Sequence, residues 1–374
     1  MDLTFSDEQE ELRRTVRAFL AGASPEAEVR RLMETSSGYD AKVWSRMGEQ
    51  LGLPGLAVPE EYGGAAAGPI ETGIVLEEMG HALLCAPYLS TAVLAVQAIL
   101  RAEDAGFARE LLPGIACGVT IATLAFSESG RPWDEPAAET VVRRSAGSWL
   151  LHGTKDLVLD GALADLVLVT ARGEKGIGLY AVSGDAVGLT RTPLRTLDAT
   201  RRLARLEFDG ASARPVGRSD AGPQILAQVL EQAAVGIAVE AVGGAQHLLE
   251  ITIEHVRNRF QFGRQIGAFQ AVQHACADLY VQVESARAAA HYALWSAAEG
   301  GPEFSTAAAL AKAYCTDAYM RVATESIQLL GGIGVTWEHP AHLYFRRAKS
   351  SQLLFGDPDQ HRDRLVGELQ AQSR

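Results

Sequence analysis

Apolar side chains recur every three or four positions from Asp7 to about Leu112, as in Leu12, Val16, Phe19 and Leu20 and again in Ile74, Val75 and Met79. Pro54, Pro59 and Gly63-Gly64 interrupt the series. That period belongs to helices that each bury one face. Between Gly118 and about Val216 the pattern changes to short β-branched runs at 119–124, 148–151, 166–169 and 203–208, separated by turn pairs such as Asp160-Gly161 and Asp209-Gly210. Runs punctuated in this way predict an antiparallel barrel or sandwich. After Pro223 the helical period returns in stretches of about 30 residues, broken at Gly263, Gly300-Gly301-Pro302 and Gly331-Gly332, and long helices joined by short turns predict a bundle. The expected fold is therefore an α+β multidomain chain. It has an N-terminal α domain over residues 1–115, a central antiparallel β barrel-like domain over 116–220 and a C-terminal four-helix bundle over 221–374.

Composition adds exclusions. With 47% apolar and 21% charged residues in 374, the chain has the make-up of a folded protein of more than one unit. A net charge of −12 argues against a nucleic-acid partner, which needs clustered cations. The start Met1-Asp2-Leu3-Thr4-Phe5 lacks the basic-then-apolar order of a signal peptide, and no uninterrupted apolar run reaches about 18 residues. A cytoplasmic location and no membrane partner are expected. Cys85, Cys117, Cys276 and Cys315 are widely spaced and are expected to be reduced, small buried hydrophobes. No metal site is expected, because no C-x-x-C or H-E-x-x-H pattern occurs and His247, His255, His274 and His291 lack ligand partners along their helices. The run Gly331-Gly332-Ile333-Gly334 follows a helical pattern, not a strand, so it is no Rossmann fingerprint.

Two stretches carry candidate chemistry. In Arg257-Asn258-Arg259-Phe260-Gln261-Phe262-Gly263-Arg264-Gln265, followed by Phe269-Gln270, a helix ends in cations and re-forms after glycine. Such a turn can present a guanidinium and an amide to phosphate and purine, or it is an ordinary helix connection with a solvated Arg. In Gln328-Leu329-Leu330-Gly331-Gly332 a helix runs into glycines whose backbone can approach a ligand, or which simply cap the helix.

Together these stretches resemble the acyl-CoA dehydrogenase family. Pro54-Gly55-Leu56 through Glu61-Tyr62-Gly63-Gly64 is similar to its N-terminal signature, and Ala125-Phe126-Ser127-Glu128-Ser129-Gly130 occupies the place of its T-E-P-G segment. The resemblance implies FAD as cofactor and an acyl-CoA as substrate, with electron-transfer flavoprotein or another acceptor. It implies Arg259, Phe262, Gln270, Gln328, Gly331 and Gly332 as contacts to FAD across a subunit interface and Ser127 as a further cofactor contact. A homo- or hetero-tetramer with a related subunit follows.

The chain departs from the family where the chemistry usually sits. Phe355 occupies the place of the tail glutamate that removes the α-proton, and a phenyl ring cannot accept a proton. Asp357 replaces a threonine and would bring a carboxylate towards flavin pyrophosphate. Leu157-Val158-Leu159 stands for the family's W-I-T segment. Glu240 lies on an apolar helical stripe through Leu226, Leu230, Ala233, Ile237, Ala241, Gly244 and Leu248. A carboxylate there is either the catalytic base or one half of an ion pair with an Arg of a neighbouring helix. Some family members place their base on this helix, about two turns earlier, where this chain has Ala233. Glu77-Glu78 reads as a solvated face. The expected function is FAD-dependent α,β-desaturation of an acyl-CoA, alone or as one subunit of an α2β2 enzyme resembling actinobacterial dehydrogenases of bulky or steroid side-chain thioesters. The alternatives are a non-catalytic subunit that completes a partner's FAD site and a flavin oxidase or monooxygenase of the same fold.

Overall fold

The computed structural model describes residues 4–130, 133, 139–145 and 147–372. Helices α1 (Asp7–Ala23), α2 (Glu26–Glu34), α3 (Ala41–Glu49) and α4 (Pro69–His81) come first, then a π-helical stretch Leu89–Ala95 that leads into α5 (Val96–Arg101), then α6 (Ala105–Ala116). Seven strands follow: β1 (Ala122–Ala125), β2 (Val141–Ser145), β3 (Ser148–Leu159), β4 (Leu166–Gly173), β5 (Gly176–Ser183), β6 (Leu189–Pro193) and β7 (Leu203–Val216). The chain then forms α7 (Gly222–Asn258), a hairpin of β8 (Phe260–Gln261) and β9 (Arg264–Gln265), α8 (Gln270–Glu299), α9 (Phe304–Leu330), α10 (Ala341–Leu353) and α11 (Pro358–Gln372). The order of classes is the one the hydrophobic pattern predicts.

Contacts gather the chain into two compact units. One holds Met1–Arg31, Pro69–Leu84 and Ala234–Arg374; the other holds Leu32–Gly68 and Cys85–Ala233.

In the second unit the strands close on themselves. Strand β4 pairs with β5, β5 with β7, β7 with β3, β3 with β2, and β2 returns to β4. Most pairings are antiparallel as expected, but β1 and β2 each run parallel to β4. Strand β7 shows why the sheet has an inside: Ala204, Leu206 and Phe208 are buried while the residues between them are exposed. A bulge against β7 falls between Lys155 and Val158, and Leu157 there has φ 54° and a side chain turned outward. An irregularity of this kind re-aims one side chain without breaking the strand.

In the first unit α4 is buried continuously from Gly73 to Gly80, so it is a core helix, not a surface one. Ser6 opens α1 with a capping box to Gln9, at 3.0 and 3.2 Å. Helices α8 and α9 form an antiparallel hairpin, and α9 also packs on α10 and α11. The most apolar 18-residue window of α7 would suit a membrane by length and composition, yet 78% of it is buried inside the fold. Where α4 meets α7 the backbones nearly touch: a Cβ on Gly80 would collide with the Glu240 carbonyl, and one on Gly243 with the Glu77 carbonyl. Neither obstacle is a flexible side chain. Gly243→Ala should therefore cost about 1–3 kcal/mol of stability, the usual range for overpacking, read as a lower denaturation midpoint at unchanged m-value.

Candidate functional site

The two sequence stretches come together at one end of the α8/α9 hairpin. Gln270 opens α8 and Gln328 lies near the end of α9; helices of 30 and 27 residues span about 45 and 40 Å, so their free ends coincide. The β8/β9 hairpin sits at the same end, ahead of α8. Phe262 and Gly263 are its two turn residues, both left-handed at φ 51° and 77°, a geometry that glycine accepts freely and that matches strand twist. Every residue from Arg257 to Gln265 is exposed, with Phe260 at 61% and Phe262 at 89%. The side chains of Arg259, Gln270 and Gln328 are exposed and make no hydrogen bond or ion pair among the described residues. A Cβ built on Gly331 or Gly332 would meet nothing. Gly332 is thus not required by packing inside this chain, whereas Gly331, at φ 67°, ends α9 in a conformation that favours glycine; both are exposed.

Ser127 belongs to the other unit. It is buried, and its carbonyl accepts the Asp156 amide at 3.0 Å; the Ser129 hydroxyl donates to the Asp156 carboxylate. The fold therefore brings the Ser127–Gly130 segment beside Asp156–Leu159. Glu128 anchors the junction, accepting from the Thr140 amide at 2.9 Å and from Lys155 Nζ at 2.9 Å. Burial alone would raise the Glu128 carboxyl, but the Thr140 hydroxyl and Lys155 hold it at about 2. Burial dominates at Lys155 and brings its ammonium down to about 8 despite Glu128.

The tail explains its own departures. Phe355 is buried with φ 61°, and its carbonyl meets His361 Nε2 at 2.9 Å. Asp357 caps α11: its carboxylate accepts the Asp359 and Gln360 amides at 3.0 and 2.9 Å, while the Gln360 Oε1 accepts from the Asp357 amide at 2.9 Å. Asp357 thus has a local role at the start of α11, independent of any cofactor. Lys312, fully buried, donates from Nζ to the carbonyls of Gln352 and Gly356 at 3.2 and 2.7 Å and so holds the end of α10.

Glu240 is buried on α7 and paired with Arg347 of α10, itself buried. This is the ion pair that sequence reasoning set against a catalytic role. Glu77 and Glu78 do not form a solvated face; they are 5% and 2% exposed. Arg17 of α1 takes Glu78 in a two-pronged bond at 2.7 and 2.8 Å, and Arg13, Arg287 and His291 surround Glu77. Burial would raise the Glu77 carboxyl, yet His291, Arg287 and Arg13 hold it below its ordinary value. Helical periodicity missed this because α4 is buried on all sides. The cysteine expectation also needs correction: Cys85 and Cys315 are buried, but Cys117 is exposed and Cys276 half-buried, all as free thiols.

Sequence reasoning also missed a cavity of about 350 Å³ in the first unit, lined by Leu20, Val29, His81, His247, Leu343 and Tyr344 among others. His81 Nε2 lies 3.0 Å from Glu250 Oε2, and the His81 and His247 rings meet edge-on at 4.5 Å. Burial and the neighbouring His81 hold the His247 imidazole at about 4, so it is neutral at pH 7. His247 and Glu250 are three apart on one helix face, which the sequence could have shown; His81 is distant in sequence and only the fold supplies it.

Residues 6–119 match the acyl-CoA dehydrogenase N-terminal domain and residues 220–369 its C-terminal domain. The chain belongs to the acyl-CoA dehydrogenase family, oxidoreductases acting on acyl-CoA. Among named proteins it is similar to acyl-CoA dehydrogenase IpdE2 of Mycolicibacterium smegmatis, 36% identical over 97% of this chain and 99% of that one. IpdE2 of Mycobacterium tuberculosis is 34% identical over 98% and 99%. Of solved structures, a variant of the Tcur3481-Tcur3483 steroid ACAD is 32% identical with a TM-score of 0.88, covering 98% of each chain. The ChsE4-ChsE5 complex from Mycobacterium tuberculosis is 28% identical with a TM-score of 0.89, covering 99% of each.

Two outcomes test these geometries. Arg347→Met leaves a buried carboxylate uncompensated and should cost about 3–5 kcal/mol, most of it recovered in Glu240→Met/Arg347→Met, as a double-mutant cycle in urea would show. Glu128 is depressed from 4.5 to about 2, so its contribution is complete above pH 4.5 and lost as pH falls towards 2. The urea midpoint should drop across that window, and Glu128→Gln should flatten the drop.

Proposed function

We propose that this chain is one subunit of a mixed acyl-CoA dehydrogenase, desaturating a bulky thioester of the steroid side-chain class, and that its part is to complete the FAD site of its partner. The observation that carries this reading is the contrast between two sets of residues. Arg259, Gln270, Gln328, Gly331 and Gly332 are displayed without side-chain partners among the described residues of their own chain, a fit for the pyrophosphate and adenine of a cofactor held by another subunit. At the tail, by contrast, Phe355 offers no proton acceptor and the Asp357 carboxylate is spent on capping α11. Leu157 puts an aliphatic side chain where the family's indole packs on flavin. When bound, FAD supplies the acceptor for the hydride leaving Cβ. This chain's own residues would bind and orient it: Arg259 would donate to phosphate oxygens, the two Gln amides would fix the cofactor's end, and the glycines would permit close backbone approach.

The named relatives support the assembly and substrate class, since one solved neighbour is named as a complex of two different chains and another as a steroid ACAD. Electron-transfer flavoprotein or an equivalent carrier would reoxidise the enzyme, and the cytoplasm is the proposed location.

A second reading keeps proton removal on this chain at Glu240. Its buried place on α7 favours that role; Arg347 opposes it by occupying the carboxylate.

Cofactor stoichiometry separates the readings. Purified alone, the chain should bind FAD poorly; co-purified with a related dehydrogenase subunit, it should yield about one FAD per heterodimer. Arg259→Ala should lower that occupancy, through loss of a charge-assisted bond of about 1.5–3 kcal/mol. Glu240→Gln should leave flavin reduction by substrate near the parent rate. One tightly bound FAD per chain in a homo-oligomer, bleached by substrate and silenced by Glu240→Gln, would reverse the assignment.

A further inference from the structure

One constellation in the first unit takes no part in this role. His81 is the last residue of α4, and it follows Gly80, whose contact with α7 fixes where it stands. His247 and Glu250 are one turn apart on α7. A ligand-type atom from each of the three lies within 4.8 Å of the others. The His81 ring already meets the Glu250 carboxylate at 3.0 Å, and His247 stands edge-on to His81. His247 Nδ1 is buried and has no hydrogen-bond partner among the described residues. A buried ring nitrogen without a partner is costly, and a ligand bound there would offset that cost.

We propose that His81, His247 and Glu250 bind a divalent transition-metal ion of the zinc and cobalt(II) class. Two imidazole nitrogens and one carboxylate oxygen form a donor set for such ions, in contrast to the all-oxygen sets that hold magnesium or calcium. Bonds of about 2.0–2.2 Å in a tetrahedron place neighbouring donors about 3.3–3.6 Å apart. The His81–Glu250 pair at 3.0 Å is close to that spacing and all three donor atoms lie within 4.8 Å of one another, so small side-chain rotations would bring them onto one ion. The 350 Å³ cavity, lined by His81 and His247, leaves room for a fourth donor such as water. Its other walls include Leu20, Val29 and Leu343; of its charged residues, Arg17 is bonded to Glu78 and Glu26 accepts from Arg30.

Surrounding contacts restrict where the donor residues stand. Gln246 Nε2 donates to the other Glu250 oxygen at 2.7 Å. The Tyr344 ring stacks on His247 at 5.1 Å, and its hydroxyl donates to the His81 carbonyl at 2.8 Å. Glu250 is half-exposed and His81 about a fifth exposed, so an ion can enter from solvent. A bound ion would tie the end of α4 to α7 and would stabilise the folded chain by mass action.

The test is a titration of the chelator-stripped chain, in its native assembly, with cobalt(II) and then zinc. One equivalent of cobalt should give the visible absorption of a four- or five-coordinate site, zinc should bleach it, and the Tm should rise with metal. His247→Ala and Glu250→Gln each remove a ligand and should weaken binding by more than the roughly 10–100-fold that loss of a ligand's supporting contact costs, while leaving the metal-free circular dichroism spectrum unchanged; His274→Ala, on α8, should change nothing. No cobalt spectrum in the parent chain at excess metal, or equal affinity in His247→Ala, overturns the proposal. Should a variant fail to fold, the parent titration still decides.

Discussion

The crossing of α4 and α7 sets the terms for the rest of the first unit. Two glycines let the helix backbones approach until each would reject even a methyl group from the other. At that separation α4 cannot keep a solvent face, so Glu77 and Glu78 end up buried and must be offset by cations. Arg13 and Arg17 from α1, and Arg287 and His291 from α8, supply them. The same crossing buries Glu240, whose cation comes from α10. Helices α1, α4, α7, α8 and α10 are thereby tied to one close contact by charge as well as by packing. Removing one partner leaves the other stranded in a poor solvent, which makes such networks unforgiving and specific.

Much of the fold could be read from the pattern of side chains. Helical period running into glycine placed the ends of α8 and α9, at Gly300 and Gly331, whereas α7 stops at Asn258, short of Gly263, because the β8/β9 hairpin intervenes before α8 begins at Gln270. The second unit was legible as a set of short strands, but the parallel pairing of β1 and β2 with β4 was not, since strand direction depends on long-range order and leaves no mark in local alternation. The exposed motif residues were legible for a different reason. The side chains of Arg259 and Gln328 answer to no neighbour among the described residues, so their sequence context is free to carry a recognisable signature.

Residues whose meaning depends on distant partners were misread or unseen. Glu77-Glu78 looks hydrophilic in one dimension, and nothing nearby in sequence reveals the cationic partners drawn from α1 and α8. Asp357 looked like an intruder in a phosphate site when judged by the family pattern. Judged by its neighbours, it opens α11 through Gln360, three residues on, a spacing visible in the sequence. Lys312 shows the opposite case: its ammonium serves the carbonyls at the end of α10, far away along the chain, and no local rule would find it.

The β8/β9 hairpin has a bearing on how the protein must be made. Phe262, in the two-residue turn, and Phe260, in β8, are exposed at 89% and 61%, with Phe269 near Phe262. Aromatic surface of this kind attracts chaperones, proteases and other unfolded chains for as long as it stays open. A cell that produced this chain ahead of whatever covers the hairpin would accumulate orphans and lose them to quality control. On the proposed assembly with a second subunit, two exposed phenylalanines would thus call for matched synthesis and prompt association.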